Sequence, residues 1–523
     1  MSGQTALAVA ARRGQQISKT VSVPAPVGGL NARDPLANMP PTDAVILDNW
    51  FPDPSSISVR NGSLNWATGL PGWVETLMNY RSASTHKLFA ISGTAIYDAT
   101  SSGAIGASVK SGLTNARWEW HNLETPAGQY LRAGNAVDKP LHYDGAAWVS
   151  MDGASTPAIT GVTTTKLRNP ITWKNREWWI EDASTRAWYL PVQSIAGAAN
   201  SIDVGTYFEL GGQLQALFPM TFGTGNYYDD FLCFLSSEGE LVIYQGTDPA
   251  TAGLFNIQGR YRLGRPIGRR CWFRYGPDII IINADGFTKL SQIISHGDIG
   301  ADQTISDKIR HLVTTDTGTY PNNFGWEGVL FPAGNKVLIN VPVSENVQQY
   351  QYCLNTITNA WSRFTQWNAA CFCVDRDSLY YGGNTVVVQA DTGQFDTNTD
   401  NTTSAILASV VPAFSYMDYQ GQKHFEMVRP ILFTTGGITA LLSINTDFNI
   451  VTPTGTPSFS TDSGSGWGVY NVGSVFWDVA FWQQGYTIQK NWQGAPGIGF
   501  TGTCYITLQS SVAQIQLTSI DYL

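Results

Sequence analysis

The sequence predicts an all-β chain: a β-propeller with an extended N-terminal arm before it and a C-terminal β-sandwich-like domain after it. Three observations lead there. Short apolar strands recur between about residues 71 and 395, and the marks Tyr97, Tyr143, Tyr189, Tyr244, Leu290, Tyr352 and Val388 follow one another at 46, 46, 55, 46, 62 and 36 residues, close to the about 40–50 of a propeller blade. The chain holds 52 Gly and 25 Pro among 18 Trp, 22 Tyr and 23 Phe, which breaks it into strands and turns and leaves no long helical segment. Finally, the first 70 residues differ in texture from everything that follows.

Residues 1–70 form the arm. Pro35, Pro40-Pro41, Pro52 and Pro54 fix φ and remove backbone donors, so this segment cannot run inside a sheet for long. Its apolar residues, Leu30, Leu36, Met39, Val45, Leu47, Trp50 and Phe51, still require burial, which places the arm across another domain or a neighbouring subunit. In residues 71–395, Asp144-Gly145, Glu238-Gly239 and Asp285-Gly286 sit between apolar strands, where a tight hairpin needs positive φ. Blades of this size bury one sheet face on the next and protect their edges by closing a ring; an array of antiparallel sandwiches is the competing architecture. From residue 396 a polar linker, Asp396 to Asn401, leads into alternating runs at 429–434, 440–445, 475–482 and 504–508, which read as a sandwich within residues 396–523.

Charge narrows the function. Only 14% of residues are charged, against roughly 25% in average soluble domains, which suits subunits that bury large neutral faces. The net charge of −9 argues against a protein that grips nucleic acid, since phosphate binding needs clustered cations. Cys233, Cys271, Cys353, Cys371, Cys373 and Cys504 show neither a disulfide framework nor zinc spacing and read as reduced, buried thiols. No apolar run approaches the roughly 20 residues of a membrane helix, and the N-terminus lacks the charge order of a secretory signal. A cytoplasmically made protein with no membrane segment, metal or cofactor is expected.

Motifs that imitate chemistry are few. Asp396-x-Asn398-x-Asp400 opens like a calcium loop, but positions six and twelve hold Asn401 and Leu407 in place of Gly and Glu, so it reads as the linker. Asp298, Asp302 and Asp307 read as a surface loop entering a short helix. Cys371 and Cys373 share a strand face without two further ligands. Ser460-x-Asp462-x-Gly464-x-x-Trp467 resembles the Asp box of sialidase-like propellers, which in that family stabilises a hairpin and is not catalytic. No HExxH, P-loop or GxSxG occurs, and no catalytic residue is assigned. Arg260, Arg262, Arg265, Arg269, Arg270 and Arg274, interleaved with Tyr261, Trp272 and Tyr275, read first as subunit contacts, where Arg is enriched, and second as a DNA-facing patch.

Several strings, in order, resemble a known family. Gly28-Gly29-Leu30-Asn31-Ala32-Arg33-Asp34-Pro35, Met39-Pro40-Pro41, Leu47-Asp48-Asn49-Trp50-Phe51-Pro52 and Val59-Arg60-Asn61-Gly62 look like the opening of the tail nozzle, or tubular tail, proteins of short-tailed bacteriophages. Residues 237–249, Leu263-Gly264-Arg265-Pro266-Ile267-Gly268-Arg269-Arg270, Asn359-Ala360-Trp361-Ser362-Arg363-Phe364 and Tyr380-Tyr381-Gly382-Gly383 resemble their propeller core. The resemblance spans about residues 27–430 and leaves 431–523 without a counterpart. It implies a structural virion protein of the tail, assembled in the host bacterial cytoplasm as a ring, a homohexamer, below the portal adaptor. Such a ring docks tail fibres or spikes and lines the channel through which double-stranded DNA passes at genome ejection.

On this reading Arg33, Asp34, Asn49, Trp50, Phe51, Arg265, Arg269 and Arg270 are the candidate assembly interface. The rival is a carbohydrate-binding or sialidase-like propeller at the virion surface. The arm, taken as an assembly device, is expected to be removable without unfolding the propeller.

Overall fold

The computed structural model describes residues 19–223, 228–251, 253–296, 304–460 and 487–523. The chain is almost entirely antiparallel sheet; among the described residues the α-helices are Leu290–His296 and Arg310–Thr319.

Sheets succeed one another around an axis, each meandering outward from an inner strand. The inner strands are residues 74–81, then Glu119–Thr125, Leu167–Trp173, Leu214–Gly223, Trp272–Tyr275, Glu327–Phe331 and Cys371–Asp375; neighbours in this series pack side by side until the last meets the first, except that Leu214–Gly223 meets the fifth blade through Asp278–Asn283. Among the described residues this makes seven blades. Apolar side chains fill the space between successive blades: Met78, Phe89 and Trp118 between the first and second, Trp178, Tyr189 and Phe234 between the third and fourth, Phe218, Ile281 and Leu290 between the fourth and fifth.

The sequence periodicity has a definite structural meaning. Tyr97, Tyr143, Tyr189, Tyr244, Tyr352 and Val388 all lie on the third strand of their blades, and Leu290 directly follows the third strand of the fifth. That strand is apolar because both faces are covered by adjacent blades. The turn glycines behave as expected, with φ of 99° at Gly145, 87° at Gly239 and 132° at Gly286.

The ring is closed by one strand. Ser63–Arg81 pairs through its first half with Asn384–Ala390, as the outermost strand of the seventh blade, and through its second half with His86–Ser92, as the innermost strand of the first. The boundary expected at residue 70 therefore falls inside this strand: residues 63–70 belong to the propeller.

A second correction concerns the arm. It forms strands of a sandwich shared with the C-terminal segment, so 396–523 is not a self-contained domain. One sheet joins Trp50–Pro52, Ile57–Val59, Ile515–Tyr522 and Lys423–Thr434, with Val21–Pro24 also paired to Ile515–Tyr522. The facing sheet joins Asp43–Asp48, Thr403–Pro412, Gly502–Ser510 and Leu441–Thr446. Leu47, Trp50 and Ile57 from the arm share one core with Val410, Val428, Ile506, Leu517 and Ile520. The prolines did not prevent this because the arm's strands are short and Pro52 ends one of them. The run expected at 475–482 lies outside the described residues.

Two predictions follow from this packing. Trp50 is fully buried, so Trp50→Ala should destabilise by about 3–5 kcal/mol, and deletion of residues 1–62 should abolish cooperative thermal unfolding rather than leave a folded propeller. Calorimetry checks both.

A third prediction concerns pH. His142, buried between Arg132 and the core, accepts at Nδ1 from Arg132 Nη1 at 3.1 Å and is therefore neutral. Burial, then the Arg132 charge, lowers its pKa to about 4 from 6.5. A depressed pKa contributes stability that is complete above pH 6.5 and is lost as pH falls towards 4, up to about 3 kcal/mol. The melting temperature should drop between pH 6.5 and 4.5, and His142→Gln should flatten that slope.

Candidate functional site

The propeller axis concentrates the polar chemistry of the chain. The beginnings of the inner strands and the turns beside them enclose a bowl of about 750 Å³ that includes Arg117, Asn135, Gln215, Glu238 and Phe324. The inner strands themselves line a second bowl of about 730 Å³, with Arg81, Trp120, Asn122, Trp272 and Arg274 on its wall. Trp118, Glu119, Arg269 and Arg270 border both, so these four residues form the neck between them.

Arg270 plugs the neck. It precedes the inner strand of the fifth blade and crosses the axis, donating to Glu327 Oε2 at 3.0 Å on the sixth blade, to Thr76 Oγ1 at 2.7 Å and Glu75 O at 3.0 Å on the first, and to Trp118 O at 2.8 Å beside the second. Burial opposes the Arg270 charge, but Glu327 together with Cys371 and Glu119 outweighs it and holds the guanidinium protonated above its ordinary value. Burial also pushes the Glu327 carboxyl up despite the partner. Arg269 donates to Asn135 O at 3.1 Å. A neck filled in this way cannot pass a duplex, whose major groove alone is about 12 Å wide.

Further buried arginines tie blade to blade. Arg132 on the second blade meets Glu177 on the third through Nε–Oε1 at 2.8 Å and Nη2–Oε2 at 2.9 Å, both side chains fully buried. Burial alone would raise the Glu177 carboxyl, yet Arg132 and His121 hold it below its ordinary value. Arg168 on the third blade donates to Gln215 O at 2.9 Å and Leu214 O at 3.1 Å on the fourth.

The expected interface residues divide into two groups. Arg33, Asp34 and Arg265 remain at the surface: Arg33 pairs with Asp34 at 2.8 Å and closely with Asp307, which holds the Asp34 carboxyl below its usual range, and Arg265 pairs with Glu238 at 2.9 Å. Arg269 is half-exposed at the neck.

Asn49, Trp50, Phe51 and Arg270 are corrections, because their side chains are already satisfied inside the chain. Trp50 lies in the sandwich core, and Phe51 packs with Leu338 and Phe364 beneath the Lys336 ammonium, 4.6 Å from the ring centre. Asn49 donates to Thr365 Oγ1 and Leu407 O, both at 2.8 Å. The Arg cluster itself disperses over a strand, a turn and the axis.

Asp396 is not the head of a calcium loop. It is buried and chelated by Arg60, with Nη2–Oδ2 at 2.6 Å and Nη1–Oδ1 at 3.1 Å, while Asp400 caps its own turn through Thr402. All six cysteines are buried and free; burial raises the Cys271 thiol to about 12. Asp298 and Asp302 lie outside the described residues, as does the Asp-box motif beyond Ser460. Asp307 opens a 3-10 turn that leads into the helix Arg310–Thr319. Among the described residues no three metal-ligating side chains converge, and no helix is long and apolar enough to cross a membrane.

Arg60, Arg132 and Arg168 were not singled out by sequence; only Arg60 stood within a quoted string, and no spacing marks an arginine whose partner is dozens or hundreds of residues away.

No family model and no curated protein matches the chain. Among solved structures it is similar to BBS1N in complex with ARL6DN, soaked with lead, at 12% identity over 44% of this chain and 72% of that one with a TM-score of 0.28. The mercury-soaked form gives 12%, 44%, 73% and 0.29. The strand pairings define the propeller.

The neck yields a contrast between two arginines. Arg270→Ala leaves Glu327 buried without its partner and should cost about 3–5 kcal/mol, whereas Arg265→Ala removes an exposed pair and should cost about 0–1 kcal/mol. Urea denaturation of the two variants checks this.

Proposed function

We propose that the chain is a structural, non-enzymatic subunit of the tail of a short-tailed bacteriophage. In this reading it is a nozzle protein that forms a ring, a hexamer, below the portal adaptor, lines the path of the leaving genome and docks tail fibres or spikes. The observation that carries the reading is the way the family-like strings meet in space. Gly29, at φ 83° with no room for a Cβ beside the Trp361 backbone, places the first string on the sixth blade. Arg363 of the later string grips Asp48 of the earlier one with two bonds of 2.7 Å. Strings 300 residues apart thus form one joint between propeller and sandwich, as expected if they specify one shared architecture.

The closed axis adds a condition: in a ring, DNA runs between subunits, and a chain of net charge −9 favours a lumen that repels phosphate. Arg33, Asp34 and Arg265 remain candidate contacts there.

Light scattering and negative-stain images of the purified protein, alone and with its adaptor, test the proposal. A closed ring of six is expected; a monomer under both conditions would exclude it. Arg33→Ala with Arg265→Ala should weaken the ring without shifting the melting temperature, and no turnover of sialosides, other bacterial surface glycans or peptidoglycan should be detected.

A further inference from the structure

We propose that the bowl lined by the inner strands is a binding site for a singly charged anionic sugar residue, such as a carboxylated hexose unit of a surface glycan. This goes beyond the nozzle reading and holds for monomer and ring alike. Its volume of about 730 Å³ lies in the range of small-ligand sites, and its mouth is open, with Arg81 and Arg274 exposed.

Four arginines border it, Arg81, Arg269, Arg270 and Arg274, against the two carboxylates Glu119 and Glu327, an excess of cations in an acidic chain. Three of the four are engaged: Arg270 with Glu327, Arg269 with Asn135 O, and Arg81 with Val374 O at 3.2 Å. Arg274 makes no hydrogen bond or ion pair with any described residue. One free guanidinium calls for one negative charge, and its planar fork matches a carboxylate.

The remaining groups suit a pyranose. Trp120 and Trp272 are half-buried on the wall, from the second and fifth blades, and Trp272 is held by Phe218 at 5.3 Å between ring centres. Their indole N–H groups have no acceptor among the described residues and are not sealed from water. Such rings offer an apolar face and a free donor at once. Asn122 donates to Asn79 O at 3.0 Å, leaving its own side-chain oxygen to accept from a hydroxyl.

The test titrates the full protein with N-acetylneuraminic acid, galacturonic acid, glucose, inorganic phosphate and adenosine monophosphate, read by tryptophan fluorescence and saturation-transfer NMR. A carboxylated sugar should saturate at millimolar concentration, while glucose and phosphate should not. Arg274→Gln should weaken that binding at least tenfold with an unchanged melting temperature, and Trp120→Phe or Trp272→Phe should remove the saturation transfer to ring protons. Absence of saturable binding by either acid, equal binding by Arg274→Gln, or equal or tighter binding of phosphate or the nucleotide would overturn the proposal. Ring formation is measured separately, so failure of one reading leaves the other standing.

Discussion

The Arg60 guanidinium is the constraint on which the two halves of the molecule depend. All five of its N–H donors are used: to Asn49 Oδ1, Asn61 O, Thr365 O and both oxygens of Asp396. Asp396 in turn accepts from Ser63 Oγ and Trp367 Nε1, and the Trp367 ring lies 4.7 Å from the guanidinium carbon. A buried ion pair is tolerable only when its remaining valences are filled, and here they are. The node joins the arm, the link between the sixth and seventh blades, the exit from the seventh blade and the start of the closing strand. Asn49, held at φ 60°, a conformation asparagine accepts more readily than most residues, shares its side chain between this node and the sandwich.

Around the propeller the same device recurs. A chain with 31 basic and 40 acidic residues among 523 places several of its cations where water is scarce: Arg132 between the second and third blades, Arg168 between the third and fourth, Arg270 across the axis. Apolar packing between blades is non-directional and would tolerate slippage of one sheet over the next. A guanidinium with fixed acceptors does not, because a shift strands a buried charge. These residues therefore set the register of the blades, while the aromatic layers supply most of the cohesion.

The plugged neck separates two bowls of different character. One is built from turns and is crowded by polar side chains already bonded within the chain, as Gln215 donates to Gly268 O at 2.7 Å. The other is lined by the inner strands and, among the described residues, leaves the Trp120 and Trp272 indole N–H groups and the Arg274 guanidinium without partners. A rigid ring of sheets thus presents one recessed surface whose chemistry is free to meet a ligand, at no conformational expense to the scaffold.

Much of this fold was legible in the sequence because its repeating unit is local. Strand, turn and strand follow closely along the chain, so the aromatic marks and the turn glycines recorded the blades, although only the pairings place the marks on or just after the third strands. Asp48, Arg60 and Arg363 lie within the family-like strings, but the joint they form shows only in the structure. What sequence alone did not decide was closure. Ser63 pairs with Ala390 and Val21 with Tyr522, contacts between residues hundreds of positions apart that leave no periodic trace. A proline-rich arm with buried needs was visible, but whether Trp50 would fill a neighbouring subunit or the chain's own sandwich depended on where the far end of the chain returned. For the same reason the arginine run at 260–274 read as one patch, while the structure sends Arg265 to the surface, Arg270 into the axis and Arg274 to the open bowl: adjacent positions along a strand or turn face different environments, and only the ring of blades determines which one each side chain meets.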